Sequence, residues 1–267
     1  MDVNLVIICA LTFVIHIVGT LAYAVRIAGV RTRRIALSFA MFNILVLVSR
    51  TSNSFQGPFL AKRVEEHLLH SVSHGLLADF RWLLLSATVA TIAGGLLIPT
   101  FQRIFSRAVM DFESHRSIPR LLFRVLFKGG LAQIWESVRV PALGNITTLR
   151  TGRSISTGTV VINVVAVALW TIGVFASLYA GYLNPQLRVT SSTLSSIVNG
   201  VATVLMFVII DPQLSVMTDD VVGGRLSESK FRKAIVWLVG SRLAGTLLAQ
   251  LLLVPAANLI VFVATLL

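Results

Sequence analysis

The stretch TGTVVINVVAVALWTIGVFASLYAGYL, residues 157–183, holds no Asp, Glu, Lys or Arg. A helix that crosses a bilayer needs roughly 20 mostly apolar residues, so this segment reads as a membrane span. Five more stretches read the same way: Leu5–Val25, Ile35–Leu60, Leu77–Phe101, Thr190–Ile210 and Ala234–Leu266. The last is long enough to tilt or to break at Pro255. Composition agrees. Across 267 residues, 55% are hydrophobic and 13% charged, against about 25% charged in an average soluble domain. Soluble enzyme, disulfide-rich secreted module and disordered chain are thereby excluded. The single cysteine, Cys9, permits no internal disulfide.

The net charge is +12, and its distribution orients the spans. The connection after span one carries Arg26, Arg31, Arg33 and Arg34. The one after span three carries Arg103, Arg107, Arg116, Arg120, Arg124, Lys128, Arg139, Arg150 and Arg153. The one after span five carries Arg225, Lys230, Arg232 and Lys233. These hold 17 of the 23 basic residues, all on one side, which is placed in the cytoplasm with both termini outside. Such charge suits anionic lipid headgroups; no free-standing basic domain points to nucleic acid. The first span follows Met1-Asp2-Val3-Asn4 without a basic n-region, so it is read as a retained helix rather than a cleaved signal peptide.

The two halves resemble each other at a constant offset of 156 residues. Tyr23-Ala24 falls on Tyr179-Ala180, Asn43 on Asn199, and Leu96-Leu97-Ile98-Pro99 on Leu252-Leu253-Val254-Pro255. Three spans per half reverse the entry side of the second half. The expected fold is therefore an all-α integral membrane protein of six helices in two inverted three-helix repeats: 1–102, a basic connection 103–156, and 157–267. In that connection, RLLFRVLFKGG (120–130) repeats Arg120, Arg124 and Lys128 every fourth position among apolar residues, which predicts a basic amphipathic helix on the inner leaflet. Pro99 and Pro255 are candidate hinges, or simple helix ends.

Ionisable groups inside spans are costly and usually face a protein interior or a wet cavity. Arg50 lies about 23 Å along its helix from Ile35, where it can line such a cavity or snorkel to the surface. Asp79 and Arg81 open span three. Arg242 sits two turns into span six within Gly240-Ser241-Arg242-Leu243-Ala244-Gly245, whose small residues let a helix or ligand approach. Its charge persists at accessible pH, so its burial calls for an anion: Asp79, Asp211, Glu65, Glu66 or a substrate phosphate. His16 in span one is either a hydrogen-bonded core histidine or a proton-coupling group. Asn43, Asn163 and Asn199 can bond neighbouring helices. Glu66, His70 and His74 share a helical face near His67; without an HExxH pattern a solvated polar face is preferred to a metal site. No cofactor or enzyme motif is present in the sequence.

Residues 23–60, YAVRIAGVRTRRIALSFAMFNILVLVSRTSNSFQGPFL, and within them VRIAGVRTRR and NILVLVSRTSN, resemble the Amj family of bacterial lipid II flippases, alternates to MurJ. The rest of the chain matches by length and span layout. The resemblance implies transfer of undecaprenyl-pyrophosphate-linked peptidoglycan precursor from the inner to the outer leaflet of the plasma membrane. A polyprenyl-phosphate-processing enzyme and a non-transporting scaffold are the alternatives. On the flippase reading, Arg31, Arg33 and Arg34 collect the headgroup. Arg242 and Arg50 hold the pyrophosphate at successive depths, with Asn43 and Asn199 donating near midplane. Arg81 receives it outside, tuned by Asp79, while His16 and Glu66 are candidates for coupling.

Overall fold

Backbone polar groups have no water to bond to in a bilayer, so an apolar chain of this kind satisfies them within helices. The computed structural model describes residues 2–69, 75–115, 137–139 and 155–267, and its regular elements there are helical. Helix α1 spans Val3–Thr32, α2 Ile35–Leu69, α3 Leu76–His115 and α4 Thr157–Leu183. A fifth crossing is assembled from pieces: a 3₁₀ turn Pro185–Leu187, α5 Arg188–Thr193, α6 Ser195–Val204, a π-helical segment Leu205–Ile210 and α7 Asp211–Val222. Helix α8 spans Glu228–Leu266. Six of these units are long and apolar enough to cross a membrane, as the sequence predicts.

Local chemistry sets the ends. Asp2 caps α1 by accepting the Leu5 N–H at 2.8 Å, and Ser156 and Ser227 cap α4 and α8 in the same way. Helix α1 stops where Arg33 turns left-handed, at φ 56°, and the N–H groups of Arg33 and Arg34 return to Val30 and Gly29. Because α2 begins at Ile35, the turn is tight, and Arg26 belongs to a helix rather than to the expected loop. Pro99 and Pro255 neither end nor interrupt their helices, which run on to His115 and Leu266. The break falls instead in the fifth crossing. Pro212 lacks an N–H and crowds the carbonyl of Val208, four residues earlier, and the chain widens into a π turn there. The crossing therefore extends well past Ile210. The amphipathic segment 120–128 lies outside the described residues.

Helices α1 and α3 pack along each other, as do α4 and α8, and α3 meets α8. Gly245 brings α8 against α4: a Cβ there would stand 2.7 Å from the Val164 carbonyl oxygen. Helix α2 leans on α1, and the fifth crossing leans on α4. Both are peripheral and present Leu47, Phe55, Val201, Phe207 and Val208 outward. Two buried apolar clusters fill the interior. One is at the end holding Leu5, Phe80, Phe175 and Leu253, the other at the basic end, with Val25, Phe105, Leu214 and Phe231.

Candidate functional site

Between the two apolar clusters runs a belt of buried polar side chains. Thr12, His16 and Thr20 supply it from α1, Thr88 and Thr91 from α3, Asn163 and Thr171 from α4, and Ser241, Arg242 and Thr246 from α8. They lie within helices apolar enough to cross a membrane, where polar groups are least tolerated unless they bond or line a cavity. Several bond between helices. Gln56 of α2 donates to Thr12 at 2.5 Å, and Asn163 donates to Ser241 at 2.7 Å and to the Leu238 carbonyl at 3.2 Å.

Arg242 is the charge in this belt. It is 7% exposed, and its Nε donates to the Thr20 hydroxyl at 3.1 Å. Thr20 in turn donates to the His16 carbonyl at 2.9 Å, which leaves its oxygen free to accept. His16, Gly19, Thr20 and Tyr23 fall at i, i+3, i+4 and i+7, one face of α1. Glycine at position 19 makes room for the guanidinium: a Cβ there would lie 2.5 Å from Nη2 of Arg242, which would have to shift. His16 is buried and its Nδ1 has no hydrogen-bond partner.

Burial of Arg242 calls for an anion, and the four internal candidates are engaged elsewhere. Asp79 binds Arg63 at 2.7 Å, Asp211 binds Arg26 at 2.8 Å, Glu65 lies 3.6 Å from Arg188, and Glu66 lies 3.7 Å from Lys62. None of the ion pairs among the described residues includes Arg242. Among the described residues, Arg242 is thus a guanidinium out of water with a neutral hydrogen-bond partner, an arrangement in which its charge is costly.

The other predicted site residues are scattered. Arg50 and Asn43 are exposed on α2, seven residues apart on one face. Asn199 presses its Oδ1 against Gly173 of α4, and that oxygen is buried without a donor. Arg81 is exposed, and its carbonyl accepts from Gln250 at 3.2 Å. Asp79 is held by Arg63 and approached by His67, so it faces a different arginine from the expected Arg81. Arg31 pairs with Glu228 at 3.1 Å, while Arg33 and Arg34 are exposed at the turn. His70 and His74 lie outside the described residues.

Two arginines carry structure that the sequence reading overlooked. Arg63 joins three helices at the end away from the basic connections, reaching Asp2 at 2.8 Å and Asp79 at 2.7 Å. That arginine, with the Leu5 N–H, holds the Asp2 carboxyl below the usual carboxylate range. Arg26 ties α1 to α7 through Asp211 and Ser215 and lies 5.0 Å over the Phe39 ring of α2. The absence of any Gly or Pro between span one and Gly29 was the available sign that α1 continues through it.

The first three helices and the helices after residue 155 are thus tied by ion pairs at both ends. Arg26–Asp211 and Arg31–Glu228 lie at the basic end, and Glu65–Arg188 at the other.

A family model described as Amj, alternate to MurJ, matches residues 11–264. The chain is 38% identical over 248 residues to a Bacillus subtilis (strain 168) protein named lipid II flippase Amj, covering 91% of this chain and 90% of that one. No solved structure matches. With a match across nearly its whole length and a relative at that identity, the chain belongs to the Amj family.

Proposed function

We propose that the chain is a lipid II flippase of the bacterial plasma membrane. It carries the undecaprenyl-pyrophosphate-linked precursor from the inner to the outer leaflet, with the basic end in the cytoplasm. The observation that carries this reading is Arg242, buried at mid-depth beside small residues with every candidate acid engaged by another base. The family and the named relative support the substrate.

The barrier to transport is the headgroup, since the polyprenyl tail can remain in lipid. Moving phosphates across ~30 Å of hydrocarbon forfeits their hydration. A guanidinium fixed at mid-depth replaces part of it with charge-assisted hydrogen bonds. Arg33 and Arg34, exposed at the α1–α2 turn, meet the headgroup first, and Arg31 joins them on leaving Glu228. The pyrophosphate then reaches Arg242, with Thr20 and His16 beside it. The exposed α2 face with Asn43 and Arg50, and Arg81 beyond it, offers polar contacts to the sugars and peptide along the lipid-facing side. The matched offset of 156 residues and the matched placing of α2 and the fifth crossing favour two inverted three-helix sets that rock about the site. Glu66, bound to Lys62, brings no base toward this belt, so the enzyme alternative gains nothing from the geometry.

The test is in cells depleted of other lipid II flippases, with lipid II exposed on the outer leaflet measured by its accessibility to an impermeant probe. Supplying this protein restores the signal if the reading is right. An expressed, membrane-inserted protein that leaves the signal at the depleted level overturns it.

A further inference from the structure

The Arg26–Asp211 pair differs from an ordinary structural bridge in three respects. Its two side chains are unequally buried, Arg26 at 9% exposed and Asp211 at 41%, so Asp211 is the partner that can turn out to water while Arg26 stays seated. The pairing is also single: Nη2 reaches one Asp211 oxygen at 2.8 Å, while Nη1 rests on the neutral Ser215 hydroxyl at 3.3 Å. A phosphate offers oxygens to both nitrogens and can bond the guanidinium in the bidentate way that Asp211 does not. Finally, Asp211 stands between the π-helical segment Leu205–Ile210 and Pro212, where the backbone already departs from the α-helical ladder.

We propose that Arg26 is a second headgroup-positioning residue, at the basic end, on which a substrate phosphate replaces the Asp211 carboxylate. This deepens the flippase reading and rests on it. The exchange keeps Arg26 neutralised throughout and turns Asp211, already partly exposed, out to water. It also removes the ion pair between α7 and α1 and leaves apolar packing alone to hold them. The fifth crossing then separates from the first three helices at the π-helical segment, while Glu65–Arg188 still joins them at the far end. Substrate arrival and opening of the basic end become one event, and an uncharged lipid cannot trigger it.

The experiment uses the full chain in lipid vesicles with Cys9→Ala and the reporter Leu214→Cys. Leu214 of α7 is 2% exposed within the basic-end cluster, so its cysteine reacts slowly with a maleimide while α7 is docked. Undecaprenyl pyrophosphate is expected to raise the labelling rate about tenfold, the scale of one charge-assisted hydrogen bond, and undecaprenol to leave it unchanged. Asp211→Asn is expected to label fast without lipid. Arg26→Gln is expected to label fast and ignore the pyrophosphate, and Arg26→Lys to recover part of the response. The proposal is overturned if the pyrophosphate does not change the parent rate, if undecaprenol works equally well, or if Asp211→Asn labels as slowly as the parent. If the parent restores outward lipid II in depleted cells while its labelling ignores the pyrophosphate, this exchange is wrong and the flippase reading stands. If the parent fails in those cells, it is the flippase reading that fails.

Discussion

Replacing Arg242 with Met keeps the bulk and apolar stem of the side chain and removes its charge. The cost of burying that charge is set by its surroundings: 7% exposure, a neutral hydroxyl at 3.1 Å and, among the described residues, no carboxylate paired with it. Withdrawing an ion from water costs several kcal/mol, and a hydrogen bond from a charged group returns about 1.5–3 kcal/mol. Without substrate, Arg242→Met is therefore expected to be more stable than the parent by about 1–4 kcal/mol, as when other buried ions yield to apolar side chains of similar size. With substrate the sign reverses. A phosphate oxyanion about 4 Å from the guanidinium, at an effective dielectric near 20, gains about 4 kcal/mol, or roughly a thousandfold in affinity. Denaturant or thermal unfolding of the protein in vesicles, with and without undecaprenyl pyrophosphate, reads both effects. The parent should be stabilised by the lipid; the Met variant should start higher and ignore it. A variant that loses more than about 1 kcal/mol without lipid, or keeps the parent's response to lipid, refutes the reasoning, because Arg242 would then be a structural group with a hidden partner.

Further outcomes follow from the packing. Gly19→Ala places a methyl 2.5 Å from Nη2 of Arg242, and the flexible guanidinium must move about 1 Å. Transport should fall about tenfold to a hundredfold while the melting temperature barely changes, and an unchanged rate would show that Arg242's position is unimportant. Gly245→Ala meets the Val164 carbonyl at 2.7 Å and the Val167 Cβ at 2.8 Å, so α4 and α8 must part at a cost of about 1–3 kcal/mol, measured by unfolding. Because the Asp2 carboxyl titrates below its ordinary value of 3.8, its contribution is complete above that pH and is lost as pH falls through the lower folded value. Protection of the amides in the first turn of α1, corrected for the intrinsic pH dependence of exchange, should fall in that acid range, and in Asp2→Ala it should already be low at neutral pH.

The spans were legible because length and apolarity alone decide them, and the charge-free segment 157–183 needs no partner to be read. Pairings between distant residues were not. Arg26 looks like the first residue of a basic loop until Asp211, 185 positions away, supplies its counter-charge. Arg242 was visible as an anomaly in an apolar helix, but its significance depends on Asp79, Asp211, Glu65 and Glu66 all being bound elsewhere, which is a property of the fold. Pro99 and Pro255 looked like breaks and are not, because helices in a bilayer retain bonded turns around proline where neighbouring groups satisfy the freed carbonyls. Asp211-Pro212 did mark a discontinuity, and the π turn just before it lets the chain continue as helix to Val222.

On the proposed mechanism, the buried Arg242 guanidinium carries the pyrophosphate of lipid II across the membrane. Purified protein in vesicles loaded with lipid II in one leaflet tests it most directly, with arrival in the opposite leaflet followed over time. Transfer is expected to depend on the protein and to be abolished by Arg242→Met while the variant stays folded; transfer at the parent rate by that variant rules out Arg242 as the carrier of the pyrophosphate.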